Sequence, residues 1–242
     1  MDWIWWTAEG TNLEQDFSDP SAARNSGTWV RSAVNALVEE PEAIEADLAS
    51  AGPGGTVVCW GGWASGQPAE PASGQFEPSP EVWLPAGRAR VEAFFGGVAE
   101  RAQAAGVSVL VRPHAATGLS DLPGCVAFHR TFGDRLGLVA EPAGLLTPET
   151  LATQDELIGR AGQVFEALSC VGAVGLFGGR PDGDASSTLT PCLMTEGAVD
   201  RALLLAALAP LLSRGLPVIA PDSDRGVQRA VVHESLPHGS IR

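Results

Sequence analysis

Five runs of this chain are apolar almost throughout, and stretches with helical spacing separate them. The runs are Gly55 to Gly62 (GTVVCWGG), Val107 to His114 (VSVLVRPH), Leu136 to Pro142 (LGLVAEP), Val171 to Gly179 (VGAVGLFGG) and Leu216 to Asp222 (LPVIAPD). A strand that shows one wet face alternates apolar and polar residues, whereas a strand covered on both faces does not. Covered strands that alternate with helices predict βαβ units and a parallel sheet. Between the first two runs, Val91, Phe94, Phe95, Val98, Ala102 and Ala105 fall at helical spacing, and Gly106 is placed to end that helix. A second helix is expected behind Thr147-Pro148-Glu149, where Thr can cap and Pro suits the first turn. A third covers about Val199 to Arg214, bent or interrupted at Pro210.

Two further strands are predicted near the start, Asp2 to Thr7 and Thr28 to Leu37, with a short helix from Pro41 to Ala51. That makes seven. An eight-unit barrel needs one more, and residues 8 to 27 are too short and polar for a strand with its helix. The predicted fold is therefore an α/β TIM-type barrel, a single domain over residues 1 to 242, shortened or incomplete at its N-terminus. A missing unit would leave strand edges open, so a homodimer or heteromer covering the N-terminal gap is expected. Residues 64 to 85 (ASGQPAEPASGQFEPSPEVWLP) follow a strand's C-terminal end and are a candidate lid over the mouth, the alternative being a decorative insertion. Residues 223 to 242 read as a C-terminal tail.

Charge and composition narrow the partners. The net charge of −14 argues against nucleic acid and against anionic membranes, both of which reward basic residues. All 15 basic residues are Arg, so lysine chemistry such as a Schiff base is excluded. Cys59, Cys125, Cys170 and Cys192 are far apart and form no C-x-x-C pair, which favours a reduced, cytoplasmic protein without a structural zinc. No stretch reaches the ~18 apolar residues that span a bilayer. No Gly-x-Gly-x-x-Gly, Gly-Lys-Ser/Thr or Gly-x-Ser-x-Gly pattern occurs.

Three segments in order carry a resemblance: AERAQAAGVSVLVRPH, RLGLVAEPAGLL, and Gly179 to Ala220 with Asp182-Gly183-Asp184 and Glu196-Gly197-Ala198-Val199-Asp200. From about Thr28 to Asp222 the chain resembles the sugar phosphate isomerase/epimerase family, the xylose-isomerase-like barrels. The resemblance implies a divalent metal held by carboxylates and a His at the C-terminal strand ends, as a hard cation requires. On those positions this chain carries Arg112, Glu141, a residue near Gly175 and one near Ala220. One carboxylate of the set survives, and a guanidinium stands where a cation would bind. No metal and no cofactor is expected.

The candidate proton carriers are Glu141 and His114, both at strand ends where barrel enzymes place their chemistry. Arg112 and Arg180 are candidates for gripping an anionic group, Trp60 and Trp63 for a sugar or aromatic face, and Asp222 for the rim. The function implied is metal-independent proton transfer on a polyol, sugar acid or related oxygenated small molecule. The alternative is a non-catalytic relative that binds a ligand, possibly anionic, or a partner subunit, with Arg112 and Glu141 as an ion pair plugging the site. His129, His233 and His238 have no metal-ligand spacing.

Overall fold

The computed structural model describes residues 1–7, 12–16, 27–64, 69–181 and 187–235. Asp182, Gly183, Asp184 and His238 lie outside them. Seven parallel strands form the barrel wall in the order β3 (Trp29–Arg31), β4 (Thr56–Trp60), β7 (Ser108–Arg112), β8 (Gly137–Ala140), β9 (Val171–Gly175), β12 (Val218–Pro221) and β1 (Trp3–Trp6). An eighth stave, β2 (Glu14–Asp16), runs antiparallel to β1. Just before it, Asn12 bridges Val30 of β3 and the Leu13 amide donates to the Trp29 carbonyl at 2.8 Å. Among the described residues, one reversed strand thus stands at the position of the unit that the sequence did not supply. It occupies the edge that the expected homodimer or heteromer would cover.

Two hairpins stand on the C-terminal rim, β5 (Ala69–Glu70) with β6 (Gln75–Phe76), and β10 (Gly178–Pro181) with β11 (Leu189–Cys192). The apolar run from 171 to 179 therefore divides into a barrel strand and the start of a hairpin. The expected strand from Thr28 to Leu37 is formed only over Trp29–Arg31. Around the wall lie α1 (Glu45–Ala51), α2 (Pro80–Trp83), α3 (Pro85–Ala105), α4 (Leu122–Phe132), α5 (Gln154–Ala167), α6 (Arg201–Ser213) and α7 (Arg225–Ser235). Gly106 ends α3 with a φ of 66°, the left-handed turn that glycine adopts without strain. Pro210 sits inside α6 without ending it. The region read as a tail instead supplies α7, whose Arg225 and Arg229 pair with Glu14 and Asp16 and so tie down the reversed stave. Among the described residues no helix is long and apolar enough to cross a membrane.

Strand alternation sorts the core into two layers. Trp3, Trp5, Val57, Cys59, Val109, Val111, Leu138 and Ala140 face outward to the helices. Ile4, Val58, Leu110, Val139, Ala173 and Ile219 fill the barrel interior. Two residues further toward the mouth, the inward positions carry Trp6, Trp60, Arg112 and Glu141.

Candidate functional site at the barrel mouth

At the end of β7, Arg112 points inward, and directly after β8 so does Glu141; each is 1% exposed. Arg112 Nη2 donates to Glu141 Oε1 at 2.7 Å, and Arg112 Nε donates to Glu141 Oε2, so the pair is bidentate. A planar guanidinium matched to a carboxylate is the strongest geometry such a pair can adopt. The guanidinium carbon lies 3.8 Å from the Phe177 ring centroid, 4.3 Å from Trp60 and 4.6 Å from Trp6. Three rings that wrap one cation add attraction through their faces and keep water from it. Burial this deep costs two charges their hydration, and the paired hydrogen bonds with the aromatic box offset that cost.

The neighbouring glycines follow from where Glu141 lies. A Cβ on Gly175 would sit 2.7 Å from Glu141 Oε2 and 3.0 Å from its Cβ. A Cβ on Gly144 would meet the Pro113 carbonyl at 2.7 Å and Glu141 Oε1 at 3.4 Å. Neither position can take a larger side chain while the ion pair stands. Ala220 faces the helices and not the barrel interior. Among the described residues no three His, Cys, Asp or Glu side chains converge as a ligand set. The donor set here does not fit a divalent metal.

His114 lies beside this pair, 1% exposed and edge-on to Trp60 and Phe76 at 5.8 and 5.2 Å between ring centroids. Its Nδ1 accepts the Ala116 amide at 3.2 Å, which leaves Nε2 as the protonated nitrogen facing the Leu189 carbonyl at 3.4 Å. Burial pushes its pKa down from 6.5 to about 4; the Leu189 carbonyl resists the shift and the nearby Arg112 charge adds to it. The ring is therefore neutral at pH 7, with both nitrogens engaged.

The candidate lid is seated in the mouth. Phe76 of β6 is 3% exposed and packs 5.0 Å from Trp60 and 5.2 Å from Trp63. The turn of the hairpin is fastened by two indoles: Trp60 Nε1 donates to the Pro71 carbonyl at 3.0 Å and Trp6 Nε1 to the Ala72 carbonyl at 2.7 Å. Trp63 is half-buried, its backbone clasped by Asn35 through bonds of 2.8 and 3.0 Å. Trp60 and Arg112 thus lie beneath the hairpin, away from solvent.

What remains open is a pocket of about 390 Å³ on the rim, walled by Trp6, Ala72, Ser73, Phe177, Pro191, Pro221, Asp222 and Ser223. Asp222 accepts from Arg225 Nε at 2.5 Å and keeps part of its carboxylate in solvent. Arg180 is exposed on β10, outside this wall. The structure therefore brings Arg112, Glu141, His114 and Trp60 together, sets Asp222 on the open rim and leaves Arg180 apart. Sequence reasoning missed Trp6, Phe76, Phe177 and Arg31. Period-two alternation in Trp3-Ile4-Trp5-Trp6 was the available signal for Trp6, since it puts Ile4 and Trp6 on one face. Arg31 is buried at the end of β3, donates to the Thr7 carbonyl and lies 5.4 Å from the Trp6 ring centroid.

Neither a family model nor a curated protein sequence matches the chain. Solved structures do. A D-tagatose 3-epimerase-like protein superposes with a TM-score of 0.59 at 13% identity, covering 95% of this chain and 86% of that one. L-ribulose 3-epimerase gives 0.52 at 16%, covering 87% and 70%. A xylose isomerase domain protein from Planctomyces limnophilus gives 0.50 at 11%, covering 96% of each chain. Of two longer matching chains this one spans 67% and 65% of the length. At such identities the likeness establishes the architecture.

Proposed function

Taking a xylose isomerase-like TIM barrel as the premise, we propose that this chain binds a polyol, sugar or sugar acid at the rim of its mouth without turning it over. The observation that carries this reading is the buried, bidentate Arg112–Glu141 pair. It fills the space that the resemblance assigns to a metal, and it engages both oxygens of Glu141. With His114 neutral and bonded at both nitrogens, neither candidate proton carrier is presented to a substrate. Arg112 is occupied by an internal carboxylate, so an anionic ligand would have to displace a partner that pays no entropy of association.

The open pocket has the ingredients for an oxygenated ligand. Trp6 and Phe177 supply apolar walls, while Asp222, Ser73 and Ser223 supply polar atoms at the edge. The volume, near the lower end of about 300–1,000 Å³ for small-molecule sites, suits a monosaccharide.

Calorimetric titration with a panel of aldoses, ketoses, polyols and aldonates tests the reading, alongside proton NMR of the same mixtures in D₂O. Saturable binding of at least one compound is expected, weakened about tenfold or more by Asp222→Ala, with no loss of any sugar C–H signal to deuterium. Exchange of a C–H proton would overturn it and return Glu141 and His114 to the proton-transfer role; absence of binding across the panel would overturn the rim as a ligand site.

A further inference from the structure

Away from the mouth, a groove of about 560 Å³ lies on the outer wall between α4 and α5, lined also by Pro142, Leu145 and Leu146. Its floor is aliphatic. Leu122, Val126, Leu145, Leu157 and Val164 stand there half-buried, with no element of the described chain packed over them. Half-covered leucine and valine retain apolar surface in water, a standing cost that a ligand or partner can relieve.

Two guanidiniums, Arg130 from α4 and Arg160 from α5, stand at the rim of this groove. Each has a carboxylate four residues away, Asp134 and Glu156 respectively, and the Glu156–Arg160 order on α5 is the favourable one for a helical ion pair. Neither arginine forms an ion pair with a described residue. Both line the groove instead. The carboxylate among the lining residues, Asp121, is engaged at the start of α4, where its Oδ1 accepts the Gly124 amide at 2.6 Å. In a chain with a net charge of −14, an aliphatic trough lined by two arginines outside any ion pair and one acid has a net positive lining.

We infer that this groove binds an aliphatic carboxylate, with the chain along Val126, Leu157 and Val164 and the carboxylate between Arg130 and Arg160. Charge complementarity selects this occupant: a neutral hydrocarbon would leave both guanidiniums unused, and an anion without an apolar body would leave the floor wet. A volume of this size accommodates a medium-length chain. The site is separate from the mouth, so its fate does not depend on the rim pocket.

The test uses the full chain and two fluorescent probes that share one aromatic body, anionic 1-anilinonaphthalene-8-sulfonate and neutral N-phenyl-1-naphthylamine, with decanoate as competitor. Decanoate is expected to displace both probes. The double variant Arg130→Gln/Arg160→Gln should weaken the anionic probe and decanoate at least tenfold while leaving the neutral probe within about twofold. Val126→Trp, which fills the trough, should weaken all three, with an unchanged circular dichroism spectrum as the check that both variants fold. Unchanged anion affinity in the arginine variant would overturn the inference. So would a dimeric mass by light scattering that Val126→Trp reduces to a monomer while decanoate does not compete, because the groove would then be covered by a second copy.

Discussion

Arg112 and Glu141 set the energetics of the mouth as a couple. Replacing Arg112 by Met leaves a buried carboxylate without its cation, and Glu141→Leu leaves a buried cation without its anion; each is expected to cost about 3–5 kcal/mol. The double variant removes both charges and keeps the volume, so it should recover most of that loss. A double-mutant cycle by urea denaturation checks this, and additive single-variant losses would contradict it. His114 makes a second prediction at the same scale. Its pKa is about 4 in the folded chain and near 6.5 when unfolded, so between those values the unfolded chain holds the extra proton. Stability should therefore be fully present above pH 6.5 and fall by roughly 3 kcal/mol as the pH drops toward 4. In His114→Gln the pH slope of the unfolding free energy over that window should be shallower by about one proton; an unchanged slope would show that the ring is not buried neutral.

Among the elements, the hairpin from Ala69 to Phe76 decides whether the mouth is open. Phe76→Ala removes the ring that packs on Trp60, Trp63 and His114, and should cost about 3 kcal/mol while making the hairpin sensitive to limited proteolysis. Trp60→Phe deletes one indole bond to the turn and should cost about 1 kcal/mol. If proteolysis of Phe76→Ala matches that of the parent chain, the hairpin is not held by this ring. The same elements show what sequence could reveal. The apolar runs at 107–114 and 136–142 announced parallel strands because covered strands need no alternation, and they brought Arg112 and Glu141 to adjacent strand ends. The hairpin's burial was not legible, since Phe76 sits in a stretch rich in Pro, Gly and Ser and the indoles that fasten it come from β1 and β4. The reversed stave was hidden for a similar reason: Glu14-Gln15-Asp16 is polar, and arginines more than 200 residues later hold it in place.

For the whole molecule, the barrel shares its architecture with solved sugar epimerase structures, and a buried ion pair fills its mouth. A chain of −14 net charge sets Arg112 inside a ring of Trp6, Trp60 and Phe177, with Arg31 against the Trp6 ring, so the inside of the mouth carries positive charge. With β2 closing the edge between β1 and β3, light scattering at micromolar concentration is expected to give a monomer near 25.0 kDa. A dimer would require an interface elsewhere on the surface.

Calorimetric titration of Mn²⁺ and Mg²⁺ into metal-stripped protein is the most direct test of the plugged mouth, run in parallel on the parent chain and on Arg112→Glu. The parent is expected to give no stoichiometric binding, because Arg112 holds the Glu141 carboxylate and Gly175 and Ala220 offer no ligand. Stoichiometric metal in the parent, lost on Glu141→Gln, would contradict the account and restore a metal-dependent centre at the barrel mouth.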